Sequence, residues 1–76
     1  MSSQPLSEIP AGVFVRLVSI DGNRQLTRRL LSLGITLGVE VEILQHRGHG
    51  VVIGRNGNRV ALGKTIVDKL QAEKID

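Results

Sequence analysis

The stretch RRLLSLGITLGVEVEIL, Arg28 to Leu44, decides the fold. Within it the hydrophobic spacing changes from helical to strand-like. Leu26, Leu30 and Leu33 stand at i, i+4 and i+7, one face of a short helix. Gly34 follows directly, where a left-handed C′ residue ends a helix. Gly38 closes a second turn. From Val39 to Ile43 apolar and acidic residues alternate strictly, the pattern of a strand with one buried and one wet face. A helix therefore feeds directly into the start of a sheet.

Working outward, Asn23 is placed to cap that helix, which runs from Arg24 to Leu33. Val13 to Ile20 is rich in Val and Ile and reads as a strand. Leu6 to Ile9 forms a short turn closed by Pro10-Ala11-Gly12. Residues 1–5 read as a disordered N-terminus and 6–76 as a single domain. Downstream, Val39 to Gln45 is the second strand, Arg47-Gly48-His49-Gly50 a loop and Val51 to Arg55 the third strand. Asn56-Gly57-Asn58 is a hairpin signal, since Asn and Gly tolerate positive φ. Arg59 to Leu62 is the fourth strand, Lys64 to Asp68 one helical turn, and Lys69 to Lys74 a last strand with Leu70 and Ala72 facing in. The expectation is a mainly β fold: a small closed barrel of five short strands, with one short α-helix between the first two. Closure removes edges that would otherwise pair between molecules. Leu26, Leu30, Leu33, Val39, Val41 and Ile43 are the expected core, with Val15 or Phe14 from the first strand.

Seventy-six residues make one domain, near the size at which a single core is marginal. There is no cysteine, which excludes disulfides, thiolate metal sites and a cysteine nucleophile. Phe14 is the only aromatic residue, so the core is built from Val, Ile and Leu. Ten basic against seven acidic residues leave a net charge of +3, which permits an anionic partner without demanding one. No apolar run approaches the roughly 20 residues of a membrane span. The start, MSSQPLSEIPAG, lacks the basic and apolar regions of a signal peptide, so a cytoplasmic protein is expected.

Catalytic signals are absent. His46 and His49 stand three apart beside a glycine loop and are weak metal candidates, because a closed site needs about four ligands and no third is close in sequence. Glu40 and Glu42 share one side of a strand and read as a solvated face. No G-x-S-x-G and no complete phosphate loop occurs; Gly63-Lys64-Thr65 has only the last letters of one, with Asn58 where its first glycine belongs. The chain is therefore not expected to be an enzyme.

Arg24, Arg28 and Arg29, with Arg16, form a cationic group open to three readings. They are a solvated helix face, a contact for an acidic protein, or a nucleic-acid surface. The last lacks stacking aromatics and a groove-entering motif. Leu31 lies well off the Leu26–Leu30–Leu33 stripe. Either a second wall of the barrel covers it, or it is exposed as an apolar anchor beside arginines.

The run R-R-L-L-S-L-G-I-T-L-G-V-E-V-E-I-L resembles the signature of the FeoA family, small accessory proteins of ferrous iron transport, whose pattern has the form R-L-x-x-L-G-[IL]-x-P-G-x-x-V-x-V. Gly57 to Leu70 resembles the family's G-x-x-[VL]-A-L-[GR] strand with the short helix after it, and Leu6 to Gly12 its opening L-x-x-[LM]-x-x-G. The likeness covers Leu6 to Ala72. Leu37 replaces the proline usual before Gly38, and the loop at Arg47 to Gly50 lacks P-x-G-D-P. The resemblance implies an SH3-like barrel and a non-enzymatic, cytosolic role in bacterial iron homeostasis. The implied partner is the cytosolic part of the FeoB transporter, with no nucleic acid and no direct membrane insertion. The same fold occurs in the C-terminal domain of metal-dependent repressors, and a small transition-metal-binding protein is the alternative reading. No tightly held cofactor is expected, Fe(II) included. The expected partner-binding residues are Arg24, Arg28, Arg29 and Leu31.

Overall fold

The computed structural model describes residues 3–75. In chain order the elements are β1 (Gln4–Pro5), a 3-10 turn (Leu6–Glu8), β2 (Phe14–Ile20), α1 (Arg24–Ser32), β3 (Glu40–Arg47), β4 (Gly50–Arg55), β5 (Asn58–Leu62), α2 (Lys64–Val67) and β6 (Leu70–Lys74). The strands form one sheet in the order β1-β6-β2-β3-β4-β5, and every neighbouring pair is antiparallel. The main helix α1 thus connects two adjacent strands, β2 and β3.

The local reasons are those of strand and turn chemistry. Along β2, Val15 and Leu17 are buried while Phe14 and Arg16 face solvent, the two-residue alternation of a half-buried strand. Asn56 at φ 50° and Gly57 at φ 82° form the two-residue turn between β4 and β5. Both central residues need positive φ for the turn to match the twist of the strands. Gly48-His49 makes an equally short link between β3 and β4, so the expected four-residue loop is a tight hairpin. β3 runs on to Arg47 and carries His46 on the strand.

The expected five-stranded closed barrel is corrected in two respects. The sheet has six strands, and its ladder is open, running from β1 to β5. The helix accordingly lies between the second and third strands. Backbone chemistry accounts for the open ladder. β1 is two residues long and ends in Pro5, which has no N–H. β5 stops at Leu62, where the chain turns through Gly63 into α2. The Leu6–Glu8 turn lies against both β4 and β6, with Leu6 and Ile9 fully buried. Of the residues expected to be disordered, Met1 and Ser2 lie outside the described residues. Gln4 and Pro5 pair with Ala72 and Gln71.

Val15, Leu30, Val41 and Ile43 are buried as expected, as are Leu70 and Ala72 on β6. Leu26 and Val39 are partly buried against the same cluster. Leu33 departs from the expectation and is 42% exposed. It is the C-cap, at φ −94° and ψ 2°, so the helical period no longer aims its side chain. Ile35, at 3% exposure, fills the core there instead. Phe14 is 49% exposed because the alternation that buries Val15 turns its neighbour outward.

Candidate functional site

The site is built on α1 and the turn after it. Asn23 caps the helix: its Oδ1 accepts from the Leu26 N–H at 3.0 Å, and its carbonyl accepts from the Thr27 N–H at 3.1 Å. The far end closes as a Schellman motif. The Ile35 N–H donates to the Leu30 carbonyl and the Gly34 N–H to the Leu31 carbonyl, each at 2.9 Å, with Gly34 at φ 80°. Leu30 and Ile35, the residues that such a motif brings into apolar contact, are both in the core.

A contact that the sequence did not disclose holds this end in place. Arg55, at the end of β4, donates from Nη1 to the Gly34 carbonyl at 2.6 Å. Gly34 and Arg55 are 21 positions apart, and neither periodicity nor spacing links them. A side chain on Gly34 would collide with the guanidinium, its Cβ falling 2.7 Å from Nη1. Gly34 is thus favoured by its φ, and a side chain there would also displace the Arg55 guanidinium.

On the opposite side of α1, Arg24, Arg28 and Leu31 follow the i, i+4, i+7 spacing and share one face. Its residues lie about 140–160° around the helix from Leu26. Arg29 lies between this face and the core stripe, about 100° on from Arg28. All three arginines are exposed, and among the described residues none makes an ion pair. Leu31 is 59% exposed, so no second wall covers it. Leu33 and Leu37, at 42% and 62%, add apolar surface at the same junction. α1 has no acidic residue in its first turn, and Arg24 sits at the positive end of the helix dipole.

Two further groups of polar residues, around Arg16 and at His46, have structural explanations. Arg16 contacts Glu40 at 2.9 Å and Glu73 at 3.4 Å, because the register places all three side by side on β2, β3 and β6. The Glu40 hydrogen bond, then its charge, raise the Arg16 pKa beyond the usual guanidinium value. Glu40 is therefore engaged as an ion-pair partner. His46 Nε2–H donates to the Ile9 carbonyl at 2.6 Å, pinning the N-terminal turn to β3. The carbonyl only accepts, so this nitrogen carries the proton and offers no lone pair to a metal. Among the described residues no three His, Asp or Glu side chains gather into a metal site. No helix among them is long and apolar enough to cross a membrane.

The FeoA domain model matches residues 4–74. The chain belongs to the FeoA family. FeoA similarity extends to a candidate Fe(2+) transport protein A of Methanocaldococcus jannaschii, 28% identical over 91% of this chain and 84% of the relative. The crystal structure of an iron uptake regulatory protein (FeoA) superimposes with a TM-score of 0.86 at 29% identity, covering 99% of this chain and 100% of that one. A manganese-dependent transcriptional repressor contains the same fold at a TM-score of 0.85 and 20% identity. This chain covers 42% of the repressor, and at that identity the likeness is one of fold alone.

Proposed function

We propose that this FeoA-family chain is a non-enzymatic accessory protein of ferrous iron uptake, and that the outer face of α1 docks on the cytosolic part of a FeoB-like transporter. The observation that carries the reading is Leu31, 59% exposed on one helix face with Arg24 and Arg28. An apolar residue ringed by charges that the core does not use matches the anatomy of a contact centre with a polar rim. Arg24 adds support. A cation at a helix N-terminus costs up to about 1 kcal/mol of helix stability, and such local conflicts concentrate at functional surfaces. The arginines govern encounter rate and salt sensitivity, and Leu31 contributes desolvated area.

The test is binding of the purified cytosolic part of the transporter by the parent, Arg28→Glu/Arg29→Glu and Leu31→Ser. Charge reversal weakens binding, more at low salt than at high salt, while the fold is retained. Leu31→Ser weakens it at every salt concentration. Parental binding by both folded variants would exclude this face.

A further inference from the structure

A second surface, independent of the α1 docking face, lies on the outside of the sheet. An open groove of about 870 Å³ runs between the start of β2 and the β4–β5 hairpin. The strand register sets Phe14, Glu42, Gly54 and Arg59 side by side across β2, β3, β4 and β5. Gly54 makes a low point in that row, and Leu44 lies across it. A Cβ on Gly54 would fall 3.0 Å from the leucine Cδ1. The half-exposed Phe14, the chain's only aromatic residue, lines one end.

The charges around the groove are not equally engaged. Arg16 holds Glu40, and Arg55 donates to the Gly34 carbonyl. Glu42 and Arg59 make no ion pair and no side-chain hydrogen bond among the described residues. A carboxylate and a guanidinium therefore flank an aliphatic floor, two strand spacings or roughly 10 Å apart. Phe14 stands beyond the carboxylate, where an aromatic ring attracts a cation seated on Glu42.

We infer that this groove receives an extended segment of a partner protein with the pattern acidic–x–aliphatic–x–basic. Alternate residues of an extended chain share a face. An acidic side chain then meets Arg59, the aliphatic one packs on Leu44 over Gly54, and the basic one meets Glu42 beside Phe14. The first and last of these lie about 13 Å apart along the segment, a difference from the groove spacing that the long Arg and Lys stems absorb. The open shape fits a chain segment better than a small molecule, which needs a cavity that encloses it. A second copy of this protein does not supply the segment. Its one match in either direction, Lys64–Ile66–Asp68, is wound into α2 with Lys64 and Asp68 paired at 2.6 Å.

The probe is the blocked peptide acetyl-Asp-Ser-Leu-Ser-Lys-amide, titrated into the isotope-labelled full chain and followed by backbone amide NMR. Saturable shifts at Phe14, Glu42, Gly54 and Arg59 are expected, with a dissociation constant of about 1 mM or tighter. Replacing the peptide leucine with serine abolishes them. Glu42→Lys weakens binding about tenfold and transfers preference to a peptide ending in Asp, because exposed charge pairs contribute about fivefold each and reversal adds repulsion. Arg59→Glu transfers it to a peptide beginning with Lys. Arg28→Glu/Arg29→Glu leaves peptide binding unchanged, which separates this surface from the α1 face. The proposal is overturned if no saturable shifts occur. It is equally overturned if the folded Glu42→Lys and Arg59→Glu variants keep the parental preference.

Discussion

Truncating three leucines of one short segment, Leu30, Leu31 and Leu33, tests the orientation of α1 directly. Leu30 is fully buried, while Leu31 and Leu33 are 59% and 42% exposed. Leu30→Ala leaves the helix backbone bonds in place and removes side-chain volume from the closed core. Such truncations cost about 2–5 kcal/mol, through lost transfer energy and the cavity left behind. At about 0.05–0.15 kcal/mol per residue, a chain of this length has a total stability of about 4–11 kcal/mol. The loss is thus a large share of the whole. At this size each 1 kcal/mol lowers the melting temperature by about 4–8 °C, so a loss of about 3 kcal/mol lowers it by about 12–24 °C. Leu31→Ala stays within about 0.5 kcal/mol of the parent. Leu33→Ala costs about 1 kcal/mol, since roughly half of its side chain contributes to burial. Thermal and urea melts followed by far-UV circular dichroism, at one pH and salt concentration, give all three values. A Leu30→Ala protein melting within two or three degrees of the parent would refute the assignment, about 4 °C per kcal/mol being the smallest expected response. A Leu31→Ala loss equal to that of Leu30→Ala would show that the helix is rotated.

Further outcomes concern the contacts that hold the helix end and the N-terminal turn. Gly34→Ala should cost about 1–3 kcal/mol in urea melts, because alanine pays for the left-handed φ and its Cβ meets Arg55. Arg55→Met should lose about 1.5–3 kcal/mol, the range for a hydrogen bond from a charged donor, and should raise amide exchange at the end of α1. His46→Ala should lower stability by about 1 kcal/mol by freeing the Ile9 carbonyl. In anaerobic calorimetry the isolated parent chain should form no Fe(II) complex tighter than about 1 μM, a threshold near −8 kcal/mol. A tight stoichiometric complex lost in the double variant His46→Ala/His49→Ala would reverse that expectation. Arg28→Glu/Arg29→Glu should keep the fold and lose no more than about 1–2 kcal/mol, since both residues are exposed and only Arg29, in the last turn, loses a favourable contact with the helix dipole.

The sequence by itself determined the local elements. Period, caps and turn residues act between neighbours, so the helix start at Asn23, the left-handed Gly34, the Asn56-Gly57 turn and the inward Leu70 and Ala72 were legible from spacing alone. The family signature was legible for the same reason, being made of those local signals in order. Tertiary structure decided what distant residues do to one another. The helical period put Leu33 in the core, but the chain leaves the helix at that residue and Ile35 takes the place. Strand patterning led to a closed barrel, but closing a ladder depends on whether two remote edges have backbone groups to exchange. Pro5 and the early end of β5 leave the ladder open, while Leu6 and Ile9 join the core. Arg55 was legible only as the end of a strand, and folding set it on the Gly34 carbonyl. Likewise Phe14, Glu42, Gly54 and Arg59 become neighbours only through register, which three separate strand pairings establish together. Local propensity is encoded residue by residue, whereas exposure, ion pairing and closure depend on which remote groups arrive at the same place.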